Sequence, residues 1–156
     1  MPKGIDVHIH APAPAGDHPS RTGQQMRDYF RTERKVDTVE EMAERFQKLD
    51  IFGVILHNVS DSARGHKSPP NDWPAEIVKR YPKTFAFFAG VDPWSGKLAV
   101  KEIERAVKDL GAIGVKFVPM TQEFFANEHR FYPMYEMCAK LGVPVMFHSG
   151  TTGVGA

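Results

Sequence analysis

Several features that would assign a protein to a specialised class are missing from this sequence. It has one cysteine, Cys138, so no disulfide can form within the chain. Its 20 basic and 19 acidic residues give a net charge of +1, which argues against a nucleic-acid-binding protein. No apolar run reaches the length of a membrane span, and the first residues hold no apolar segment of the signal-peptide kind. We therefore expect a cytoplasmic protein that binds neither nucleic acid nor membranes.

A glycine-rich phosphate-binding loop is also absent. The segment HAPAPAG (residues 10–16) follows the first predicted strand and does not match the GxGxxG pattern, so a dinucleotide site is not expected. What the chain does have is the composition of an ordinary globular protein, since 42% of its 156 residues are hydrophobic and 25% are charged.

Strands and helices alternate along the whole chain. GIDVHIH (4–10) is followed by apolar runs of strand length at 51–59, 84–91, 112–119 and 143–150, with amphipathic helical segments between them. These later strands begin about 30 residues apart, which is typical of parallel strands joined by helical crossovers. The predicted fold class is therefore α/β, either a (β/α)8 barrel or an open doubly wound sheet.

Two histidines one residue apart stand near the end of the first predicted strand. Because side chains alternate between the two faces of a strand, Asp6, His8 and His10 are expected on one face. The apolar residues of this strand are expected on the other, buried face: Ile5, Val7 and Ile9. Two imidazoles on one face can bind a single metal ion, although polar residues that merely face water explain an isolated HxH motif equally well.

A third histidine, His148, lies at the carboxyl end of the fifth predicted strand. In (β/α)8 enzymes the reactive residues gather at the carboxyl ends of the strands. Histidines at matching heights on the first and fifth strands therefore favour a metal site more strongly than the HxH motif does alone.

Three motifs stand at predicted strands: DVHIH (6–10), GVKFVP (114–119) and FYPMYEMCAKLGVPVMFHSGT (131–151). Together they resemble the amidohydrolase superfamily, and within it the amidohydrolase-related (amidohydrolase 2) branch of decarboxylases and hydrolases. The resemblance implies a (β/α)8 TIM barrel, of which this chain holds about the first five βα units. Since such barrels need about 250 residues, residues 1–156 are expected to form a single domain, the amino-terminal portion of a longer or truncated protein.

The resemblance also implies a ligand set. His8 and His10 are expected to bind the metal, and His148 either binds it or contacts a metal-bound water and the substrate. The metal is expected to be zinc, with manganese or iron(II) as alternatives, because imidazole binds all three. The aspartate that the family carries on strand eight has no counterpart in this chain. A homodimer is a further expectation from the family.

Further residues are expected in the pocket, each with a structural alternative. Asp6 either orients a ligand histidine or is an exposed strand-end carboxylate, and His57 either lines the pocket mouth or makes a structural hydrogen bond. Lys116 is expected as a polar pocket contact, with the metal-bridging carboxylated lysine of some amidohydrolases as its alternative. Ser149 and Thr151 either hydrogen-bond the substrate or form the loop after the fifth strand.

The function predicted first is that of a metal-dependent hydrolase with His148 as catalytic residue. A bound divalent cation lowers the pKa of its water to about 7, and the hydroxide would attack an ester, lactone, thioester or amide of a small organic acid. The alternative is metal-dependent, non-oxidative decarboxylation of an aromatic or unsaturated carboxylic acid by the same residues. A second alternative is a non-catalytic barrel fragment.

Overall fold

Five parallel strands form one sheet in the computed structural model, which describes residues 1–14, 28–31, 37–65 and 67–150. The strands are β1 (Gly4–Ile9), β2 (Ile51–Leu56), β3 (Phe85–Gly90), β4 (Gly114–Phe117) and β5 (Val145–Phe147). Each strand pairs in parallel with the next one in the sequence, so the order is β1-β2-β3-β4-β5. This is the order of a barrel, in which the chain always moves to the adjacent strand, and it lacks the strand reversal of a doubly wound sheet.

Helices connect the strands. They are α1 (Val39–Leu49), α2 (Asp61–Arg64), α3 (Asp72–Arg80), α4 (Lys97–Lys108), α5 (Pro119–Gln122) and α6 (Tyr132–Leu141), with 3-10 turns at Pro93–Ser95 and His129–Phe131. Helices α1, α3, α4 and α6 are the longer crossovers that the sequence pattern predicts. In the part of the chain that the structure describes, no helix combines the length and apolar character that a membrane crossing requires.

Helix α1 begins at a capping box. The Thr38 hydroxyl accepts a hydrogen bond from the Glu41 N–H (3.2 Å), and the Glu41 carboxylate accepts one from the Thr38 N–H (2.7 Å). Two N–H groups that the helix leaves unpaired are thereby satisfied. The helix ends at Asp50, whose left-handed backbone (φ 56°) turns the chain directly into β2.

The helices bury one face of the sheet in two adjoining apolar clusters. The first joins β1, β2 and β3 to α1 and α3, and the second joins β4 to α4 and α6. Their most deeply buried side chains are Ile55, Ile77, Phe85, Phe87, Ile103, Val115 and Phe117. Because alternate residues of β2, β3 and β4 point into these clusters, the residues between them point to the opposite, concave face.

The concave face carries a smaller apolar layer. Val54, Leu56 and Phe88 are buried there, and Met146 of β5 packs against them. Gly114 belongs to the same layer, since a Cβ atom at this position would lie 2.5 Å from the Phe88 ring. The ring therefore fills the space of the missing side chain. This layer forms the floor beneath the polar residues at the carboxyl ends of the strands.

Strand β1 departs from regular alternation. Its register on β2 shifts between Asp6 and Ile9, where three residue steps on β1 match two steps on β2. The prediction that Ile5, Val7 and Ile9 form one buried face is therefore wrong. Ile9 is buried, but Ile5 and Val7 are 63% and 56% exposed. Two causes explain this exposure. The bulge breaks the alternation of side chains, and the described helices cover the outer strand β1 only at its carboxyl end.

Candidate metal and substrate site

Polar side chains gather over the apolar layer at the carboxyl ends of the strands. His8 lies in β1, His10 follows β1, Lys116 lies in β4 and His148 follows β5. Because all five strands are parallel, these four residues lie at the same edge of the sheet, and the charges of Lys116 and His148 contribute to lowering the pKa of His8 and of His10. The structure thus places the three predicted histidines and Lys116 at one edge of the sheet, and it brings the rings of His8 and His10 into contact.

The two histidines of the HxH motif meet edge to face. Their ring centroids are 5.3 Å apart, and their planes are inclined by 68°. His10 Nδ1 lies 3.2 Å from the carbonyl oxygen of Leu56, at the end of β2. With the proton on Nδ1, this hydrogen bond fixes the ring and leaves Nε2 unprotonated. Metal-binding histidines are commonly held in this way, with one nitrogen on a carbonyl and the other on the metal.

Both imidazoles favour the neutral form. The pKa of His8 lies below the usual histidine value, first because neighbouring atoms partly desolvate the ring, and then because Lys116 and His148 bring positive charge close. Desolvation also lowers the pKa of His10, and the adjacent His8 lowers it further. Neutral imidazole is the form that binds metal, so the environment keeps both side chains in the ligand form at neutral pH.

His148 contributes a third imidazole. Its backbone N–H donates to the carbonyl oxygen of Phe117 (2.9 Å), which continues the pairing of β4 with β5 beyond the last strand residue. Its side-chain atom Nε2 is buried and finds no hydrogen-bond partner within the described ranges. Buried polar atoms nearly always have a hydrogen-bond partner or a metal ion to bind. This nitrogen is therefore available to a partner that does not belong to the described residues.

Lys116 is a cation in an almost fully buried position. The residue is 2% exposed and lies between Gly90 of β3 and Met146 of β5 in the register of the sheet. Its strand neighbours Val115 and Phe117 belong to the core under the helices, so Lys116 faces the concave side. Burial lowers the pKa of its ammonium group, and no carboxylate of the described chain opposes this shift.

A divalent metal ion fits this arrangement in part. His8 and His10 present two imidazoles, one of them oriented by a backbone carbonyl, and His148 has a buried nitrogen without a partner. Over the ranges that the structure describes, no three His, Cys, Asp or Glu side chains form a group that could hold a metal ion. The described residues alone therefore do not form a complete metal site, which would need further donors.

The other residues predicted for the pocket are placed differently. Asp6 Oδ1 accepts a hydrogen bond from the backbone N–H two residues later (3.0 Å), so it supports the HxH segment through the main chain. His57 Nε2 lies 2.7 Å from the carbonyl oxygen of Pro69, so its ring makes a hydrogen bond within the protein. Ser149 is exposed after β5. Thr151 lies outside the described residues.

A buried amide behind the site is not foreseen from the sequence. Gln122 Nε2 donates to the carbonyl oxygens of Val59 (2.6 Å) and Val91 (2.8 Å), and its Oε1 accepts from the N–H of Val118 (2.8 Å). This single side chain ties together the segments that follow β2, β3 and β4. Local sequence patterns carry no signal for such a role, because two of the three partners lie in distant loops.

Comparison with known protein families assigns the chain to one of them. A family model described as Amidohydrolase matches residues 5–156. The chain therefore belongs to the amidohydrolase family, as the resemblance of its motifs implies, and this is a family of enzymes.

One curated relative is the γ-resorcylate decarboxylase of Polaromonas sp. (strain JS666). It is 27% identical over 124 residues, which cover 74% of this chain and 38% of the relative. The matched segment is thus less than half of the relative.

Solved structures share the fold. An uncharacterised TIM-barrel protein from Bordetella bronchiseptica matches with a TM-score of 0.74 and 22% identity, over 96% of this chain and 56% of that one. A dihydroxybenzoic acid decarboxylase from Polaromonas sp. JS666, solved with bound manganese and the inhibitor 2-nitroresorcinol, matches with a TM-score of 0.61 and 22% identity, over 97% and 51%. The fold is a partial TIM barrel of five βα units, and the chain spans about half the length of these structures.

Proposed function

We propose that this chain supplies the metal-binding part of a metal-dependent decarboxylase that acts on a small aromatic or unsaturated carboxylic acid. The observation that carries the proposal is the HxH pair, whose His10 Nδ1 is held by the Leu56 carbonyl, at the edge of the sheet where the buried Nε2 of His148 has no partner among the described residues. Decarboxylases among the relatives support this reaction better than the hydrolysis predicted first from the sequence.

His8 and His10 are the residues that would hold a divalent cation, and His148 would either join them or contact the substrate. The manganese in a structural relative supports a divalent ion, and zinc stays a prediction that metal analysis can test. When bound, such an ion supplies positive charge that stabilises the anionic oxygen atoms of the substrate.

The chain's own residues prepare this site for an anion. The Leu56 carbonyl keeps the His10 proton on Nδ1, so that the ring cannot rotate away. Leu56 and Phe88 form an apolar floor beneath the polar side chains. Because Lys116 is almost fully buried, its charge acts on a bound anion more strongly than it would in water.

We also propose that further βα units complete the barrel, because this chain covers 56% or less of the structures reported above. The additional metal ligands and the group that returns a proton to the substrate carbon would then come from that part. The full-length polypeptide is therefore the material for every activity experiment.

The test is metal content together with CO2 release. The full-length protein is expected to hold about one divalent ion per chain and to release CO2 from an acid such as 2,6-dihydroxybenzoate. In His8→Ala/His10→Ala the metal should be lost, and activity should fall by more than about 100-fold, because losing even an outer partner of a metal site costs about 10–100-fold.

The matched control is His129→Ala, which removes an exposed histidine from a turn outside the site. It should keep the metal and the activity of the wild type. Hydrolysis of esters or lactones without CO2 release would instead establish the hydrolase. A folded protein without metal or turnover would favour the non-catalytic barrel.

A further inference from the structure

The proposed metal binding does not explain why Lys116 is buried in the site. It is 2% exposed, yet the described part of the chain offers its ammonium group no carboxylate. Burying a cation without a counter-charge is strongly unfavourable, so an anion is expected to meet this group in the working protein.

Among the residues that the structure describes, none supplies such an anion to Lys116. Its neighbours across the sheet, Gly90 and Met146, carry no charge, and the groups that face it across the concave space are imidazoles. The one carboxylate that influences His8 is Asp6, whose Oδ1 is already occupied by a backbone N–H of its own strand. The described residues around Lys116 are therefore neutral or positive, and the ligand that complements them is negatively charged.

We propose that the ammonium group of Lys116 binds the carboxylate of the substrate, an inference that rests on the proposed function of this site. A lysine presents a compact charge with three donors, and hydrogen bonds between charged partners are about twice as strong as neutral ones. Lys116 lies on the concave face of the sheet, whose carboxyl edge also carries His8 and His10, so a carboxylate on its Nζ would bring the bond to be broken to the side where these two histidines lie. Lys116 would thus select acids over neutral analogues.

The test compares two acids with neutral analogues of the same ring in the full-length polypeptide. Benzoate is paired with benzamide, and 2,6-dihydroxybenzoate with resorcinol. Calorimetry of the wild type is expected to give at least about tenfold tighter binding of one acid than of its analogue. In Lys116→Met the preference should fall below about threefold, whereas Lys116→Arg, which keeps the charge, should retain part of it.

Lys101→Met is the control, since Lys101 is an exposed lysine of helix α4. It should keep the full preference for the acid. The inference is overturned by a wild type without acid preference, or by a preference that survives in Lys116→Met. It is also overturned if Lys116→Met weakens acid and analogue equally and lowers the thermal midpoint, because that outcome marks a structural lysine.

Metal content and CO2 release, measured on the same preparations, separate this inference from the proposed function. A Lys116-dependent acid preference in a protein that releases no CO2 would leave the inference standing and refute the decarboxylase. A metal-loaded protein that releases CO2, with the acid preference intact in Lys116→Met, would refute the inference alone.

Discussion

At the scale of single residues, Gly53 shows how tightly the sheet and the helices fit. A Cβ atom on Gly53 would lie 2.6 Å from Ile9 Cδ1, 2.9 Å from Phe46 Cε1 and 3.0 Å from the Phe85 ring. Three side chains from three elements converge on this point of β2. The absence of a side chain is therefore what allows β1 and helix α1 to close over the strand.

Gly53→Ala is expected to lower the free energy of unfolding by about 1–3 kcal/mol, because an extra methyl group in a filled core forces its neighbours to shift. Gly4→Ala is the control, since nothing lies within 4 Å of a Cβ atom there, and its effect should stay within about 0.5 kcal/mol. Urea denaturation of both variants measures the difference. Equal destabilisation by the two substitutions would contradict this account of Gly53.

The predicted closeness of His8 and His10 is found, because the two residues are near neighbours in the sequence. Their rings meet at the end of β1 although a bulge interrupts regular alternation between Asp6 and Ile9. The predicted burial of Ile5 and Val7 failed, because a bulge depends on the pairing partner and not on β1 alone. Gln122 could not be foreseen at all, since its partners lie 63 and 31 residues away in the sequence.

At the scale of elements, Arg105 joins two helices. Its guanidinium donates to both carboxylate oxygens of Asp72 on α3 (3.1 and 2.7 Å) and to Glu102 on its own helix α4 (2.8 Å). The hydrogen bonds from Arg105 lower the pKa of Asp72. Burial raises the pKa of Glu102, but hydrogen bonds from Arg105 and Asn71 outweigh it, so the net shift is downward.

Arg105→Met is expected to lower the free energy of unfolding by about 0.5–1 kcal/mol at pH 7, the upper part of the range for partly exposed ion pairs. Carboxylates with lowered pKa values stabilise the fold above about pH 4, and this contribution disappears as the pH falls through their titration. Unfolding curves from pH 7 to 3 should therefore converge for wild type and variant. Lys101→Met is the control, and a gap that persists at pH 3 would argue against the ion pair.

The order of the elements was predictable because the spacing of apolar runs is a property of the chain itself. A period of about 30 residues requires parallel strands with helical crossovers, and the four longer helices lie where the amphipathic pattern puts them. The short helices α2 and α5 were not predicted, since single turns after strands depend on contacts with other loops. The spacing alone left a barrel and a doubly wound sheet open. The resemblance to the amidohydrolase superfamily predicted the barrel, and the strand order confirms it.

At the scale of the whole molecule, β1 and β5 are the outer strands of the sheet, and no strand among the described residues pairs with their outer edges. Ile5 on β1 and Phe147 on β5 are 63% and 37% exposed at opposite ends of the strand order. The ring of Tyr135 packs edge to face against Phe147. Its hydroxyl is buried and has no hydrogen-bond partner in the described chain, and burial raises the pKa of Tyr135 to about 12. Unpaired edges with apolar side chains are templates for pairing with another strand.

Residues 1–156 expressed alone are therefore expected to self-associate. Light scattering on a size-exclusion column should give a mass above that of one chain. A charged side chain on an outer strand blocks such pairing, so Ile5→Lys should shift the chain toward the monomer. Leu98→Lys is the matched control, because Leu98 is 68% exposed on helix α4 and away from both edges. A monomeric wild-type chain, or equal effects of the two lysines, would mean that the outer strands do not drive association. Association that only Ile5→Lys relieves would mean that the outer edge of β1 is the surface that self-associates.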